Sequence, residues 1–320
     1  MDLIAKFDDR KKQRRRRRRL RTISTFPTLL TLGNLLCGFA AIHFCLRALL
    51  NIGAGIPDNS AQTLSSVLME RALPSYLCIS AFLIFGGLFF DMLDGRVARM
   101  TQKTSTFGGQ LDSLADMITF GAAPALLVIT IITKYLHAEW MVAPLSDNVI
   151  GRGVWMTAAV FVSCAALRLA RFNVEHAGAE LSHTDFHGLP SPGAGAMLAS
   201  LVLLQEHSSG LGGTAIIRAL PLVTLAAGLL MVSRFRYVHL SNAYLKGRRP
   251  FWQVVLLSFV AMVFLWRPAP VLAVIVCGYV ASGPIAALVR LIRVRTRGVP
   301  PQQSFQAPQE QESDPVQKHA

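Results

Sequence analysis

The sequence contains few charged residues, and the acidic ones are the scarcer kind. Charged side chains make up 16% of the 320 residues, and Asp and Glu together number only 18. An ordinary soluble domain carries about 25% charged residues. The composition therefore argues against a soluble globular protein. Because the apolar residues are gathered into long runs, the sequence indicates a membrane protein instead.

Cysteine is also scarce, and its placement argues against a disulfide framework. The five cysteines lie within or at the edges of apolar runs, and none has CxxC or metal-site spacing. We interpret them as small packing residues. A signal peptide is not evident either, since residues 1–25 are strongly basic and lack a small-residue cleavage site. We therefore expect the first apolar run to remain as a membrane anchor.

Eight apolar runs have about the length of a membrane span. A helix needs about 20 apolar residues to cross the hydrocarbon core. The runs lie at about residues 26–49, 75–93, 113–135, 152–170, 191–206, 213–233, 251–266 and 269–290. The runs at 191–206 and 251–266 are the shortest. The sequence therefore predicts an all-α fold, a polytopic transmembrane helix bundle of about eight spans.

Basic residues are plentiful but unevenly placed. The net charge is +14, and residues 6–21 contain eleven Lys or Arg, including the unbroken run Arg14–Arg19. If the N-terminus is cytoplasmic, only six of the 32 basic residues lie on or near the outer side: Arg47, Arg71, Lys134, Arg152, Arg218 and Arg267. The positive-inside rule therefore predicts an integral protein of the cytoplasmic membrane with both termini inside.

The arginine run has no interleaved aromatic residues and lies just before the first span. Both features argue against nucleic acid as a partner. We expect the run to set the topology and to bind anionic membrane lipids, at about 1 kcal/mol per basic residue near the surface.

Four of the scarce acids fall in one stretch, DMLDGRVARMTQKTSTFGGQLDSLAD. Asp91 and Asp94 are three residues apart and share one helix face, and Asp112 and Asp116, four apart, share a face of the next helix. The polar connection contains a Gly-Gly step at 108–109, where we expect the chain to turn back. Two antiparallel helices would then direct four carboxylates toward a common space near the cytoplasmic boundary.

Four carboxylates in one pocket require cations, because like charges close together cannot all stay ionised. Acids at a membrane are also costly and are functional candidates by default. Oxygen ligands suit Mg²⁺, Mn²⁺ or Ca²⁺, and the stretch contains no His or Cys that would indicate zinc. Two metals held by carboxylates are typical of phosphoryl-type displacement. The alternative is that the acids cap helices and pair with Arg96, Arg99 and Lys103.

The stretch follows the pattern D-x2-D-G-x2-A-R-x8-G-x3-D-x3-D. Its eight fixed positions resemble the signature of the CDP-alcohol phosphatidyltransferase family, which implies a six-helix membrane core. The resemblance also implies attack of an alcohol on the lipid-bearing phosphate of a CDP-lipid, with CMP leaving, and two divalent cations as cofactors, Mg²⁺ or Mn²⁺. It is compatible with a homodimer, since members of the family are often dimers.

The resemblance assigns roles to the aspartates. Asp91, Asp94 and Asp112 would be metal ligands, and Asp116 would be both a metal ligand and the general base. A metal-bound carboxylate is a poor base in isolation, so it must act on a hydroxyl that is already placed in line.

The resemblance also implies contacts with the nucleotide or diphosphate from Gly95, Arg99 and Ser105. The residues themselves support the first two, since glycine admits a phosphate close to a helix and arginine can bind a phosphate oxygen. Asn34 is a polar residue within the first span. It either lines the nucleotide pocket or hydrogen-bonds a neighbouring helix.

Three further segments resemble the bacterial and archaeal integral-membrane phosphatidylserine synthases: FPTLLTLGNLLCGFAAI, DSLADMITFGAAPALL and LRLARFNV with FHGLPSPGAGA. They imply CDP-diacylglycerol and L-serine as substrates. Serine carries a carboxylate, so its site needs a cation close to the metals. Arg168 and Arg171, with Asn173, stand at the cytoplasmic end of the fourth predicted span and could hold that carboxylate. The alternative is that the arginines only anchor that helix.

Two other functions stay open on the sequence alone. The acceptor could be a different alcohol, such as glycerol 3-phosphate, inositol or choline. The acids could also mark the ion pathway of a cation transporter. A transporter predicts acids near mid-span on several helices, whereas these acids cluster at one boundary on two helices.

The chain divides into four predicted segments. They are a basic cytoplasmic arm at 1–25, the phosphatidyltransferase core at 26–235, two additional spans with basic flanks at 236–297, and a disordered tail at 298–320. We expect polar cytoplasmic loops at 94–111 and 171–189, between the spans that they join.

Overall fold

A computed structural model of the chain describes residues 2–55, 75–101, 106–135, 144, 147–177, 188–208, 211–233, 235, 237 and 267–297. Nearly all of these residues are helical, and no β-strand occurs among them. The all-α prediction is confirmed for this part of the chain. The span predicted at 251–266 and the tail predicted at 298–320 lie outside the described residues.

The described residues form eight α-helices and one π-helix. The α-helices are α1 (Asp2–Gly53), α2 (Tyr76–Thr101), α3 (Thr106–Asp116), α4 (Ala123–Tyr135), α5 (Val149–Ala177), α6 (Ser191–Glu206), α7 (Leu211–Val232) and α8 (Pro268–Arg297). The π-helix, Met117–Ala122, joins α3 to α4 without a break. These three elements therefore form one continuous helical rod.

Six stretches of helix in the described part are long and apolar enough to cross a membrane. They are Pro27–Gly53, Tyr76–Val97, Phe107–Tyr135, Val149–Val174, Ala215–Val232 and Pro268–Val289. Six of the eight predicted spans are thus confirmed, and the chain is a multi-pass integral membrane protein. The span predicted at 191–206 corresponds to α6, whose 16 residues measure only about 24 Å. Most side chains of α6 are buried against neighbouring helices.

Two predicted loops are wrong in their bounds. The loop predicted at 94–111 is mostly helical, because α2 continues to Thr101 and α3 already begins at Thr106. The Gly-Gly step expected at the turn lies inside α3 instead. The loop predicted at 171–189 begins late, since α5 runs on to Ala177. The change from apolar to polar sequence marks the membrane boundary, whereas helix-forming Arg, Met and Ala residues let the helices continue past it.

The rod of α3, the π-helix and α4 lies at the centre of the bundle. In its most apolar stretch of 18 residues 72% of the residues are buried, whereas the corresponding value for α8 is 17%. Its largest fully buried side chains are Phe120, Leu127, Ile131 and Ile132. Helix α1 packs along α2 and also contacts each part of the rod. This packing places the half of the rod that carries the aspartates between α1, α2 and α5.

The start of α6 is fixed by its backbone connections to the end of α7. Gly188 has a φ of +97°, in the region that favours glycine. The N–H groups of Gly188 and Leu189 donate to the carbonyl oxygens of Phe235 at 2.8 Å and Leu230 at 3.0 Å. These two hydrogen bonds hold Ser191, the first residue of α6, in a set position.

Candidate active site

Four aspartates lie on the facing parts of α2 and α3. Asp91 and Asp94 belong to α2, and Asp112 and Asp116 belong to α3. One carboxylate oxygen from each of Asp91, Asp112 and Asp116 lies within 4.8 Å of the other two. The structure thus brings three of the four predicted ligands together, at a separation that one cation could span.

Asp94 stands beside this group and is held by the first helix. Its Oδ2 accepts a hydrogen bond of 3.0 Å from Oγ1 of Thr31, and the residue is only 5% exposed. The charges of Asp94 and Asp112 interact, although Asp94 is not part of the three-oxygen cluster. Sequence reasoning missed Thr31. The available signal was its spacing of three from Asn34, which puts both polar side chains on one face of an apolar helix.

Asn34 connects α1 to the central rod at Asp116. Its Nδ2 donates a hydrogen bond of 3.0 Å to Oδ1 of Asp116, and its backbone carbonyl accepts one of 3.0 Å from Thr119. The side-chain Oδ1 of Asn34 is buried and has no hydrogen-bond partner among the described residues. Of the two interpretations of Asn34, the structure supports hydrogen bonding to a neighbouring helix.

Small residues let the three elements approach at this point. A Cβ on Gly38 of α1 would lie 2.8 Å from Cα of Thr119. A Cβ on Gly87 of α2 would lie 2.8 Å from Oδ1 of Asn34 and would also press on the Thr119 methyl group. Any larger residue would separate the helices, so these glycines set the distance between Asp91 and Asp116. Sequence reasoning did not identify them, although small residues are the usual signal of close helix packing in membranes.

The π-helix begins directly after Asp116. Pro124 has no N–H group to donate to the carbonyl of Phe120, so regular α-helical bonding is interrupted here. A Cβ on Gly195 of α6 would lie 3.1 Å from Cα of Phe120 and 3.2 Å from Pro124. The widened turn is therefore packed tightly against α6. Such π-turns occur frequently at functional sites, and this one fixes how Asp116 is presented.

Arg168 of α5 reaches the same region. Its Nη1 donates a hydrogen bond of 2.8 Å to Oγ of Ser191, and its charge interacts with those of Asp91 and Asp116. Its Nε is buried and has no hydrogen-bond partner among the described residues. Of the three predicted acceptor residues, Arg168 is the one that the structure brings to the aspartates.

The other two predicted acceptor residues lie further along α5. Arg171 is exposed. Asn173 is half-buried, and its Oδ1 accepts a hydrogen bond of 3.0 Å from Oγ of Ser113 in α3. The Ser113 hydroxyl also lies 3.1 Å from the carbonyl oxygen of Gly109. Asn173 therefore contacts α3 at Ser113, which is next to Asp112 in the sequence.

The predicted nucleotide contacts are only partly described. Gly95 lies one residue after Asp94, and a Cβ built on it would meet no atom within 4 Å. The space beside it is open, as the approach of a phosphate requires. Arg99 belongs to α2, but its side chain lies outside the described part, as does the whole of Ser105. Their predicted contacts stay predictions.

The alternative that the aspartates pair with Arg96, Arg99 and Lys103 can be examined only for Arg96, since the Arg99 side chain and Lys103 lie outside the described residues. Arg96 is exposed, and no ion pair joins it to the four aspartates among the described residues. The Oδ1 atom of Asp112 is buried and has no hydrogen-bond partner there. Clustered carboxylates with an unpartnered oxygen suit a hard divalent cation, because such cations prefer oxygen ligands.

The acidic cluster agrees with a comparison to known protein families. Residues 24–232 match the sequence model described as CDP-alcohol phosphatidyltransferase. The chain belongs to the CDP-alcohol phosphatidyltransferase family. The family that the resemblance of the D-x2-D-G-x2-A-R-x8-G-x3-D-x3-D motif implied is thus confirmed. The matched region of this phosphatidyltransferase contains α1 from residue 24 through α7, whereas α8 lies beyond it.

Several curated proteins are similar to this phosphatidyltransferase. The CDP-diacylglycerol–serine O-phosphatidyltransferase of Helicobacter pylori is 33% identical over 216 residues, which cover 68% of this chain and 82% of the relative. The enzyme of the same name from Bacillus subtilis is 28% identical over 213 residues, covering 67% and 89%. An archaetidylserine synthase from Methanothermobacter thermautotrophicus is 30% identical over 181 residues, covering 56% and 65%. No solved structure shows significant similarity to the chain.

Proposed function

We propose that this phosphatidyltransferase transfers the phosphatidyl group of CDP-diacylglycerol to the hydroxyl of L-serine, giving phosphatidylserine and CMP. The names of its relatives support serine as the acceptor. The observation that carries the proposal is the convergence of carboxylate oxygens from Asp91, Asp112 and Asp116 within 4.8 Å. A diphosphate substrate needs cations to balance its charge, and this cluster offers the ligands that such cations prefer.

The four aspartates are the proposed ligands of two divalent cations, Mg²⁺ or Mn²⁺. When bound, such ions stabilise negative charge on the phosphate oxygens and on the leaving group. The protein's own contribution is to hold the acids in place before the substrate arrives. Thr31 fixes Asp94 by one hydrogen bond, and Asn34 fixes Asp116 by another, each of 3.0 Å.

Asp116 is the proposed general base. Asn34 binds its Oδ1, which sets the direction of the carboxylate, and the second oxygen accepts the proton of the serine hydroxyl. As the hydroxyl oxygen bonds to the lipid-bearing phosphorus, the bond from that phosphorus to the bridging oxygen breaks. CMP then leaves with the electron pair. A carboxylate is a weak base, so most of the effect comes from placing the hydroxyl in line.

The CDP-lipid is proposed to bind along the end of α2. Gly95 has open space beside it, so the diphosphate can approach the helix backbone there. Arg99 and Ser105 follow in the sequence and are the proposed phosphate contacts. On the α1 side, Asn34 is proposed to act through its hydrogen bond to Asp116 and not by contact with the diphosphate.

Arg168 is the proposed partner of the serine carboxylate. An arginine can bind a carboxylate through two N–H groups, and the unpartnered Nε of Arg168 is one such donor. The anchoring hydrogen bond to Ser191 holds the guanidinium near Asp116. Arg171 and Asn173 are proposed to line the outer part of the same subsite.

The orientation of the enzyme is also a proposal. A cytoplasmic N-terminus places the eleven basic residues of segment 6–21 beside anionic lipid. It places the aspartates at the cytoplasmic boundary as well, where water-soluble serine and CMP can enter and leave.

The proposal is tested with membranes that contain the full chain and radiolabelled CDP-diacylglycerol. Each acceptor is supplied in turn: L-serine, glycerol 3-phosphate, inositol and choline. We expect a labelled product and CMP release with L-serine alone. Asp112→Asn should abolish product formation and CMP release. Asp147 is an exposed acid before α5, so Asp147→Asn should leave product formation and CMP release intact.

Two results would contradict the proposal. If a labelled product forms only with another alcohol, that alcohol and not serine is the acceptor. Metal-dependent ion flux through the membrane, with no CMP released under any condition, would favour the transporter alternative.

A further inference from the structure

Helix α8 lies outside the region that matches the family, yet it packs against the active-site end of α6. The matched region ends at residue 232, and α8 spans Pro268–Arg297. Its contacts with α6 are among the most extensive between any two helices in the described part of the chain. The proposed function assigns no role to α8 so far.

Tyr279 of α8 is fixed in position by its neighbours. A Cβ on Gly193 would lie 3.3 Å from Cε1 of Tyr279, so the absence of a side chain at Gly193 lets the ring approach α6. The rings of Tyr279 and Tyr237 have their centroids 5.8 Å apart. The hydroxyl of Tyr237 donates a hydrogen bond of 3.2 Å to the carbonyl of Val280. The Tyr279 ring therefore packs against both Gly193 and the ring of Tyr237.

This position brings Tyr279 close to Arg168. Gly193, which the Tyr279 ring contacts, is two residues after Ser191, and Ser191 accepts the 2.8 Å hydrogen bond of Arg168. The Arg168 guanidinium interacts electrostatically with the Tyr279 hydroxyl as well as with Asp91 and Asp116. Arg168 thus interacts with the aspartate cluster and is also linked to α8 through Ser191 and Gly193 of α6.

The buried Nε of Arg168 has no hydrogen-bond partner in the described part of the chain. A buried charged donor without an acceptor is costly, which indicates that a ligand supplies the acceptor. An anionic ligand suits the buried guanidinium best, because it supplies an acceptor and an opposite charge together. A carboxylate on the acceptor substrate meets this requirement, and its second oxygen can accept a hydrogen bond from another donor.

We propose that Tyr279 completes the acceptor subsite, its hydroxyl donating a hydrogen bond to the carboxylate that Arg168 binds. The proposal rests on the proposed function, since it takes an amino acid as the acceptor. A hydroxyl is a suitable second donor because it binds the carboxylate without adding a charge beside the metal ligands. Helix α8 therefore contributes to the choice of acceptor, although it lies outside the family core.

Tyr279→Phe removes the hydroxyl and keeps the ring that packs on Gly193 and Tyr237. Steady-state kinetics of the full chain in detergent micelles should show the KM for L-serine raised by about tenfold, as expected for one lost hydrogen bond to a charged group. The KM for CDP-diacylglycerol and the melting temperature should stay unchanged. Gly193→Ala, which displaces the same ring, should raise the KM for serine by a smaller factor.

Tyr237→Phe is the matched control, because its hydroxyl binds the Val280 carbonyl on the same ring pair. It should leave the KM for serine unchanged. An unaltered KM for serine in Tyr279→Phe, or an equal rise in both KM values, would overturn the role of Tyr279. In either case serine turnover by the wild-type chain would leave the proposed function intact. Wild-type turnover with a different alcohol only would overturn both proposals together.

Discussion

Acidic side chains lie near both ends of the central rod, but their surroundings differ. At one end, Asp112 and Asp116 meet Asp91, and no described basic residue forms an ion pair with these three acids. At the other, Glu206 of α6 is paired with Lys134 of α4, at 2.8 and 3.0 Å from Nζ to the two carboxylate oxygens. Asp116 and Lys134 are 18 positions apart in this rod, which corresponds to about 27 Å of helix.

The comparison separates structural acids from functional ones. The Glu206 side chain is 4% exposed, and it accepts a further hydrogen bond of 3.3 Å from Tyr135. Its charge is balanced within the protein, so it needs no ligand. Within the described part of the chain, the charge that acts on the aspartate cluster comes from Arg168, which forms no ion pair with it. An uncompensated cluster of buried acids is unfavourable unless something else supplies positive charge, and we infer that this is the bound cation.

The largest loss of activity should come from replacing an acid of the aspartate cluster. Asp116→Asn keeps the size of the side chain but removes both the proposed base and one ligand. We expect kcat to fall by about 100-fold to 10,000-fold, the range that general base catalysis supplies, with the melting temperature preserved. CMP release in detergent micelles measures the rate. Near-normal turnover would show that Asp116 is not the base.

The spacing of the site can be perturbed without changing any acid. Gly87→Ala would push a methyl group against Thr119 and Asn34. We expect kcat to fall by about tenfold or more, since a displacement of about 1 Å can cost about 100-fold. Gly86→Ala is the control, because a Cβ there meets only Sγ of Cys37, at 3.6 Å. Equal rates for the two variants would mean that the close approach of α1 and α2 does not position the site.

The smallest effect on activity should come from replacing Glu206, the acid that is paired with Lys134. Glu206→Gln removes the carboxylate charge that pairs with Lys134, but Lys134 is 24% exposed and can be hydrated. We expect a stability loss of about 1 kcal/mol and an unchanged kcat for the folded enzyme. Thermal unfolding in detergent, followed alongside CMP release, measures both. A fall in kcat as large as that of Asp116→Asn would remove the distinction between the two ends.

Much of the site could be predicted from the sequence, because its chemistry is local. The spacings of Asp91 from Asp94 and of Asp112 from Asp116 fix which acids share a helix face. The apolar runs before and after them fix the helices. Only residues 102–105 separate the two helices in the sequence, so the two pairs are expected to lie near each other.

The remaining features depend on contacts between distant segments. Thr31 binds Asp94 across 63 positions of the sequence, and no local pattern encodes that pairing. The π-helix after Asp116 leaves no apolar periodicity that would distinguish it from an α-helix. The short α6 was predicted as a span, since hydropathy does not reveal whether lipid or protein covers an apolar helix. Tyr279 lies beyond the recognisable family region, so no motif pointed to it.

Binding of Mn²⁺ tests the central claim most directly, because it does not depend on turnover. The full chain in detergent is titrated with Mn²⁺, and the free ion is followed by its electron paramagnetic resonance signal. We predict saturable binding to the wild-type chain and to Glu206→Gln, and its loss in Asp112→Asn. Binding to Asp112→Asn that equals the wild type would contradict the assignment of the aspartate cluster as the metal site.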